Sequence, residues 1–201
     1  MGAKGSGKTF LYRKMSESRE WTAFCKNIGE TVNDTATGFF LPVIASRNST
    51  QIMNTLKLCV KNLNNHISGC SVSDSIFWDN STKLGREKDQ TTDWLCFWEL
   101  LLTKSIYPQC SSLQEVNSKL ETQRKKVIFL IDGLEDILTH ISTDENEQTA
   151  VKVLCQDIVT QLMAKCPNIG IIVFLRRDMA QASITVNFRQ FVQANGQAEL
   201  K

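Results

Sequence analysis

The chain has 201 residues, 42% of them hydrophobic, enough for a single core of ordinary size. Its 23 basic and 21 acidic residues leave a net charge of +2, so there is no electrostatic signature of a nucleic-acid partner. No apolar run reaches membrane-spanning length and no secretory leader is recognisable, which describes a cytoplasmic protein with no membrane partner.

The first element is a motif. Gly2-Ala3-Lys4-Gly5-Ser6-Gly7-Lys8-Thr9 matches G-x-x-x-x-G-K-[ST] in full. Glycines let the backbone curl so that successive N–H groups point at phosphate oxygens, and the following helix adds its free N–H groups and positive dipole end. Gly2, Gly5, Ser6 and Gly7 form that cradle, Lys8 supplies a point charge to the β- and γ-phosphates, and the Thr9 hydroxyl ligates Mg²⁺. The competing reading is a flexible glycine-rich tail. The match sits against Met1, with no room in the chain for a strand leading into it.

A short helix over residues 9–17 follows, carrying Phe10, Leu11 and Met15, and then a packing segment with Trp21, Phe24 and Cys25. Residues 39–45 read as a strand that Pro42, lacking an N–H, confines to a sheet edge. Ser49 and Thr50 supply a capping start for a helix whose stripe is Ile52, Leu56, Val60, Leu63 and Ile67. Residues 68–90 are polar and turn-rich and read as the mobile part of an insert spanning about 68–110. Within it, Phe77 and Trp78 fit either a partner contact or anchors to the core. Residues 93–106 are apolar nearly all round, as in a buried helix or one covered by another domain or subunit.

A charged helix over 113–125 delivers Val127-Ile128-Phe129-Leu130-Ile131, an unbroken apolar run that fits a parallel strand buried on both faces. It ends in Asp132-Gly133-Leu134-Glu135-Asp136. A carboxylate at the carboxyl end of a central strand lies where open α/β sheets bind ligands, so Asp132 is placed to hold Mg²⁺ beside Thr9. Glu135 and Asp136 are candidates for activating a water, with Glu135 preferred; both also suit the N-terminus of a helix. An amphipathic helix over 147–165 carries Val151, Leu154, Ile158 and Leu162. A second buried strand over 169–175 then leads into Arg176-Arg177-Asp178, and Arg176 suits either a γ-phosphate contact or a solvated strand end. Residues 184–193 open a further helix with Phe188 and Phe191. The seven cysteines, at 25, 59, 70, 96, 110, 155 and 166, form no C-x-x-C pair and read as reduced core residues.

This order of motifs resembles the STAND class of P-loop ATPases, relatives of AAA+ proteins that include NACHT-type and KAP-type members. The family's second motif is four hydrophobic residues followed by Asp-Gly-Leu-Asp-Glu; Ile-Phe-Leu-Ile-Asp-Gly-Leu-Glu-Asp at 128–136 matches with its last two acids exchanged. The resemblance implies an α/β, three-layer P-loop NTPase sandwich with a mainly parallel sheet, in which strands 39–45, 127–131 and 169–175 are the family's strands 2, 3 and 4. Strands 1 and 5 are missing, as in a truncated core forming one domain over residues 1–201. It further implies ATP and Mg²⁺ as cofactors, Lys8, Thr9 and Asp132 in their family roles, and Arg176 as a sensor-like arginine. The activity implied is ATP hydrolysis driving a signalling or defence switch, with additional domains or homo-oligomer partners. Two other readings compete. One is a small-molecule phosphotransferase with an acceptor pocket around Phe77, Trp78 and Arg86. The other is a non-catalytic interaction module using the face from Trp94 to Leu102.

Overall fold

The computed structural model describes residues 7–32, 36–46, 52–90, 92–185 and 188–195, apart from the side chains of 161–163, 194 and 195. Helices α1 (Lys8–Ser18) and α2 (Trp21–Asn27) precede strand β1 (Thr37–Ile44). Four helices, α3 (Met53–His66), α4 (Ile76–Glu87), α5 (Trp94–Ile106) and α6 (Leu113–Thr122), separate it from β2 (Lys125–Asp132). A 3-10 turn (Leu134–Asp136) follows. Then α7 (Glu145–Lys152), a π-helical stretch (Val153–Ile158) and α8 (Val159–Lys165) run continuously towards β3 (Ile169–Phe174), with α9 (Arg177–Ser183) and α10 (Phe188–Asn195) beyond it.

The described strands form one parallel sheet in the order β1-β2-β3. The fold is therefore α/β. Val127, Phe129, Leu130 and Ile131 of the middle strand are fully buried, as the unbroken apolar run requires. Pro42 does fall on an outer strand, and the register of β1 against β2 shifts between Pro42 and Ile44. The outer edge of β1 is partly covered: Phe40 N–H donates to the Arg19 carbonyl at 2.9 Å, and Glu20 bridges to Phe39. Side chains alternate across the pleat. Phe40 meets the rings of Trp21 and Phe24, whereas Phe39 stacks on His66 of α3 at 5.3 Å. Helix α1 touches all three strands, α4 packs on β1, α6 on β2 and α8 on β3.

The region expected to be mobile is instead largely helical. In α4 the residues Ile76, Phe77, Asn80 and Leu84 are buried on one face, a stripe that the surrounding polar residues obscured. Phe77 is a core anchor, and Asn80 Nδ2 donates to the Val43 carbonyl at 3.2 Å and to Ser105 Oγ at 2.8 Å, tying α4 to β1 and α5. Helix α5 opens with Asp93 accepting from the Cys96 N–H, and α6 with Ser112 accepting from the Glu115 N–H. Trp94 and Trp98 are buried, yet Leu95 and Leu100 of α5 are exposed, so this helix is not enclosed within the described residues. The capping start assigned to Ser49 and Thr50 lies outside the described residues.

The widening of α7 into the π-helical stretch has a visible partner. The Ala150 carbonyl, one turn before it, accepts from the Trp98 indole N–H at 2.8 Å. A ring from another helix thus joins the backbone ladder where the helix loosens.

Candidate functional site

Gly7 adopts the left-handed conformation, φ +83°, and starts α1. A β-carbon there would meet no atom within 4 Å, so glycine answers a backbone requirement and not a packing one. Lys8 is buried, 7% exposed, on the face that continues through Tyr12, Met15 and Ser16. This face differs from the expected one. Phe10 is 63% exposed and Tyr12 is wholly buried, because the helix turns its 8-12-15-16 side inward. Gly2, Gly5 and Ser6 lie outside the described residues.

The helix start and the end of β2 meet across 123 residues of sequence: Thr9 Oγ1 donates to Asp132 Oδ2 at 3.2 Å. Asp132 is only 1% exposed. Burial, and next the charge of Glu135, push its carboxyl up to about 6, against the opposing pull of the Thr9 hydroxyl, the Gly133 N–H and the Lys8 ammonium. Tyr12 lies below this group. Its hydroxyl donates to the Ile44 carbonyl at 3.2 Å and its ring meets Phe174 edge-on at 5.7 Å, so it spans the ends of β1 and β3. Burial, and secondarily Asp132, hold the phenol in its protonated form.

After Asp132 the chain turns sharply. Gly133 has φ +82°, and a β-carbon there would stand 2.2 Å from Ser46 Cα and 2.5 Å from Ser46 N. The 3-10 turn that follows separates the two remaining acids. Asp136 is turned to the end of β1, where Ser46 Oγ donates to its Oδ2 at 2.7 Å. Glu135 bears on Asp132, and its buried Oε2 has no hydrogen-bond partner among the described residues. Arg176 stands at the end of β3, in an ion pair with Asp178 through its Nε at 3.0 Å and its Nη2. That pairing lowers the Asp178 carboxyl and raises the guanidinium, which also feels Glu135.

The carboxyl edge of the sheet thus gathers Lys8, Thr9, Asp132 and Glu135, directs Asp136 elsewhere, and commits Arg176 to Asp178. Ser46 and Tyr12 were not singled out in the sequence. Tyr12 had a signal, being four residues beyond Lys8 on the same helix face. Ser46 had none, because its role depends on how β1 pairs with β2. Of the residues suggested for an acceptor pocket, Phe77 belongs to the core, Trp78 is partly buried and Arg86 is exposed. Among the described residues no three His, Cys, Asp or Glu side chains gather into a metal site, and no helix is long and apolar enough to cross a membrane. No family model, curated protein or solved structure matches the chain.

Proposed function

We propose that this chain is a nucleotide-binding domain of the P-loop type that holds Mg-ATP at the start of α1 and acts as a nucleotide-dependent switch of the STAND kind. The observation that carries the reading is the Thr9–Asp132 hydrogen bond, which unites the two motifs at the carboxyl edge of a parallel sheet. Lys8, Thr9 and the helix N-terminus would receive the phosphates. Thr9 Oγ1 and Asp132 would hold Mg²⁺, which needs few protein ligands when phosphates and waters complete its shell. The residues fit a cation: a carboxyl raised by burial stands beside a second carboxylate whose buried oxygen has no partner among the described residues. When bound, the ion supplies charge neutralisation to the phosphates.

Hydrolysis would fall to Glu135, which bears on Asp132 while Asp136 is held by Ser46. Its carboxylate would orient a water and accept its proton. For Arg176 to reach a phosphate it would have to leave Asp178, so its role would belong to a rearranged state.

The test is binding and turnover of Mg-ATP by the full chain, followed with a fluorescent ATP analogue and by phosphate release. Lys8→Ala should weaken binding by about 30-fold or more, the loss of roughly 2 kcal/mol of charge-assisted contact. Glu135→Gln should leave binding intact and slow turnover by about 100-fold. Absence of binding, with Lys8→Ala altering nothing, rejects the proposal and leaves the interaction module. Phosphate passed to an added hydroxyl compound in preference to water points to the phosphotransferase.

A further inference from the structure

Just beyond β3 a cation and an anion stand two residues apart, Arg176 and Asp178. We propose that Asp178 is a latch: it holds the Arg176 guanidinium off the nucleotide site, and only a nucleotide that still carries its third phosphate draws the guanidinium away. This rests on the Mg-ATP reading above and adds to it a means of telling a triphosphate from a diphosphate.

Placement comes first. β2 and β3 run parallel, with Asp132 level with Phe174. Arg176 therefore stands two residues, roughly 7 Å, beyond Asp132 at the carboxyl edge, where such sheets bind ligands. Its backbone is still extended, φ -69° and ψ 144°. Along an extended chain, residues two apart leave on one face. Phe174 uses that face to meet Tyr12 of α1, so Arg176 departs on the side of the helix that carries Lys8 and Thr9. Its guanidinium feels Glu135 as well as Asp178.

The pair fastens no element to another, because both partners belong to one turn. Lys88 and the buried Glu147 differ in this respect, since they join the end of α4 to α7. What the Asp178 pair fixes is the direction of the guanidinium: Arg176 Nε donates to Asp178 Oδ1 at 3.0 Å, and Nη2 donates to Oδ2. Asp178 is the stationary half, held also by the Met179 N–H in the first turn of α9. Both side chains reach solvent, where a pair of this kind favours the closed arrangement by only about two- to fivefold. A forked contact to a phosphate is stronger, so a phosphate brought to the strand end can take the guanidinium over. A diphosphate ends one phosphate short and leaves the latch shut.

The experiment measures dissociation constants of the full chain for a fluorescent, non-hydrolysable ATP analogue and for fluorescent ADP, both with Mg²⁺. Asp178→Asn keeps an oxygen for the Met179 N–H and removes the charge that holds Arg176. It should tighten the triphosphate about threefold and leave ADP unchanged. Arg176→Ala should weaken the triphosphate about tenfold and again leave ADP unchanged. In the Arg176→Ala background, Asp178→Asn should change nothing, since a latch needs the residue it holds. In the parent protein, the Arg176 Nε–H resonance should shift with the triphosphate and stay in place with ADP. Tightening of both nucleotides alike, or tightening that persists without Arg176, marks a bulk charge effect and overturns the latch. Triphosphate binding that depends on Lys8 but is indifferent to Asp178 and Arg176 overturns the latch alone. If neither nucleotide binds, or Lys8→Ala alters nothing, the nucleotide reading fails and the latch with it.

Discussion

Gly133 and Gly7 share one backbone conformation, φ +82° and +83°, but not one environment. Replacing either with alanine forces an L-residue into the left-handed region, at about 1–2 kcal/mol. At Gly7 the new β-carbon meets nothing within 4 Å, so the cost stops there. At Gly133 it lands 2.2 Å from Ser46 Cα and 2.5 Å from Ser46 N, which are backbone atoms and cannot swing away. Overpacking adds about 1–3 kcal/mol, for a total of roughly 2–5 kcal/mol. Alanine also narrows the unfolded ensemble, but equally at both positions, so the comparison cancels that effect. Urea unfolding of the two variants, without ligand, should show Gly133→Ala losing at least ~1 kcal/mol more stability than Gly7→Ala. In a heat scan the Gly133 variant should melt roughly 5–15 °C below the parent. Equal losses at the two sites would refute the close approach of the β2 turn to the end of β1.

Other outcomes test neighbouring parts. Asp132 rises from 3.8 to about 6 on folding, a penalty of roughly 3 kcal/mol at neutral pH. A raised folded pKa means stability is fully present below the unfolded value and lost as pH rises through the folded one. In EDTA, then, the parent should lose stability from pH 4 to pH 7, and Asp132→Asn should flatten that fall in urea midpoints measured across the range. Ser46→Ala removes the hydroxyl that Asp136 accepts from, at about 1.5–3 kcal/mol for a bond to a charged group, read by urea unfolding. Cys96 is the exposed thiol, whereas burial pushes Cys59 and Cys155 up to about 12. A thiol reagent on native protein should label Cys96 first and reach Cys59 and Cys155 only on unfolding, as peptide mass mapping will show. Trp98→Phe keeps a ring but withdraws the indole donor from the Ala150 carbonyl, and should cost about 1–3 kcal/mol and speed amide exchange in α7.

The strands were legible because each is a short, continuous apolar run, and Pro42 even placed its strand at the edge. That Lys8, Thr9 and Asp132 come together was legible because fixed spacing and a strand end place them at one edge of the sheet. What escaped was set by tertiary pairing. Helix α4 hid its buried face among polar neighbours. Glu135 is only preferred over Asp136 in sequence, and it is the turn at Gly133 that sends one towards Asp132 and the other to Ser46. Phe10 and Tyr12 are both plausible core residues by type, and helix phase alone decided between them.

Three unfavourable features of the described residues stand side by side. A left-handed glycine at which any β-carbon would strike Ser46, a buried carboxyl lifted by its surroundings, and a buried carboxylate oxygen without a partner among the described residues fall within four residues, 132 to 135. Other exceptions among the described residues stand singly: the buried Thr103 and Ser183 hydroxyls lack partners there, and Arg19 and Arg124 take positive φ, while caps are filled at α5 and α6 and the buried Glu147 has both its cation and a backbone donor. Three such costs within four residues are compatible with the proposed cation site, where a bound ligand would offset strain carried by the empty protein. A cation there would oppose all the electrostatic part of that cost at once, since it favours the ionised form of Asp132 and gives Glu135 a neighbouring charge. On the proposed reading the same four residues would be strained in the empty protein and stabilised on binding, as a nucleotide-dependent switch requires.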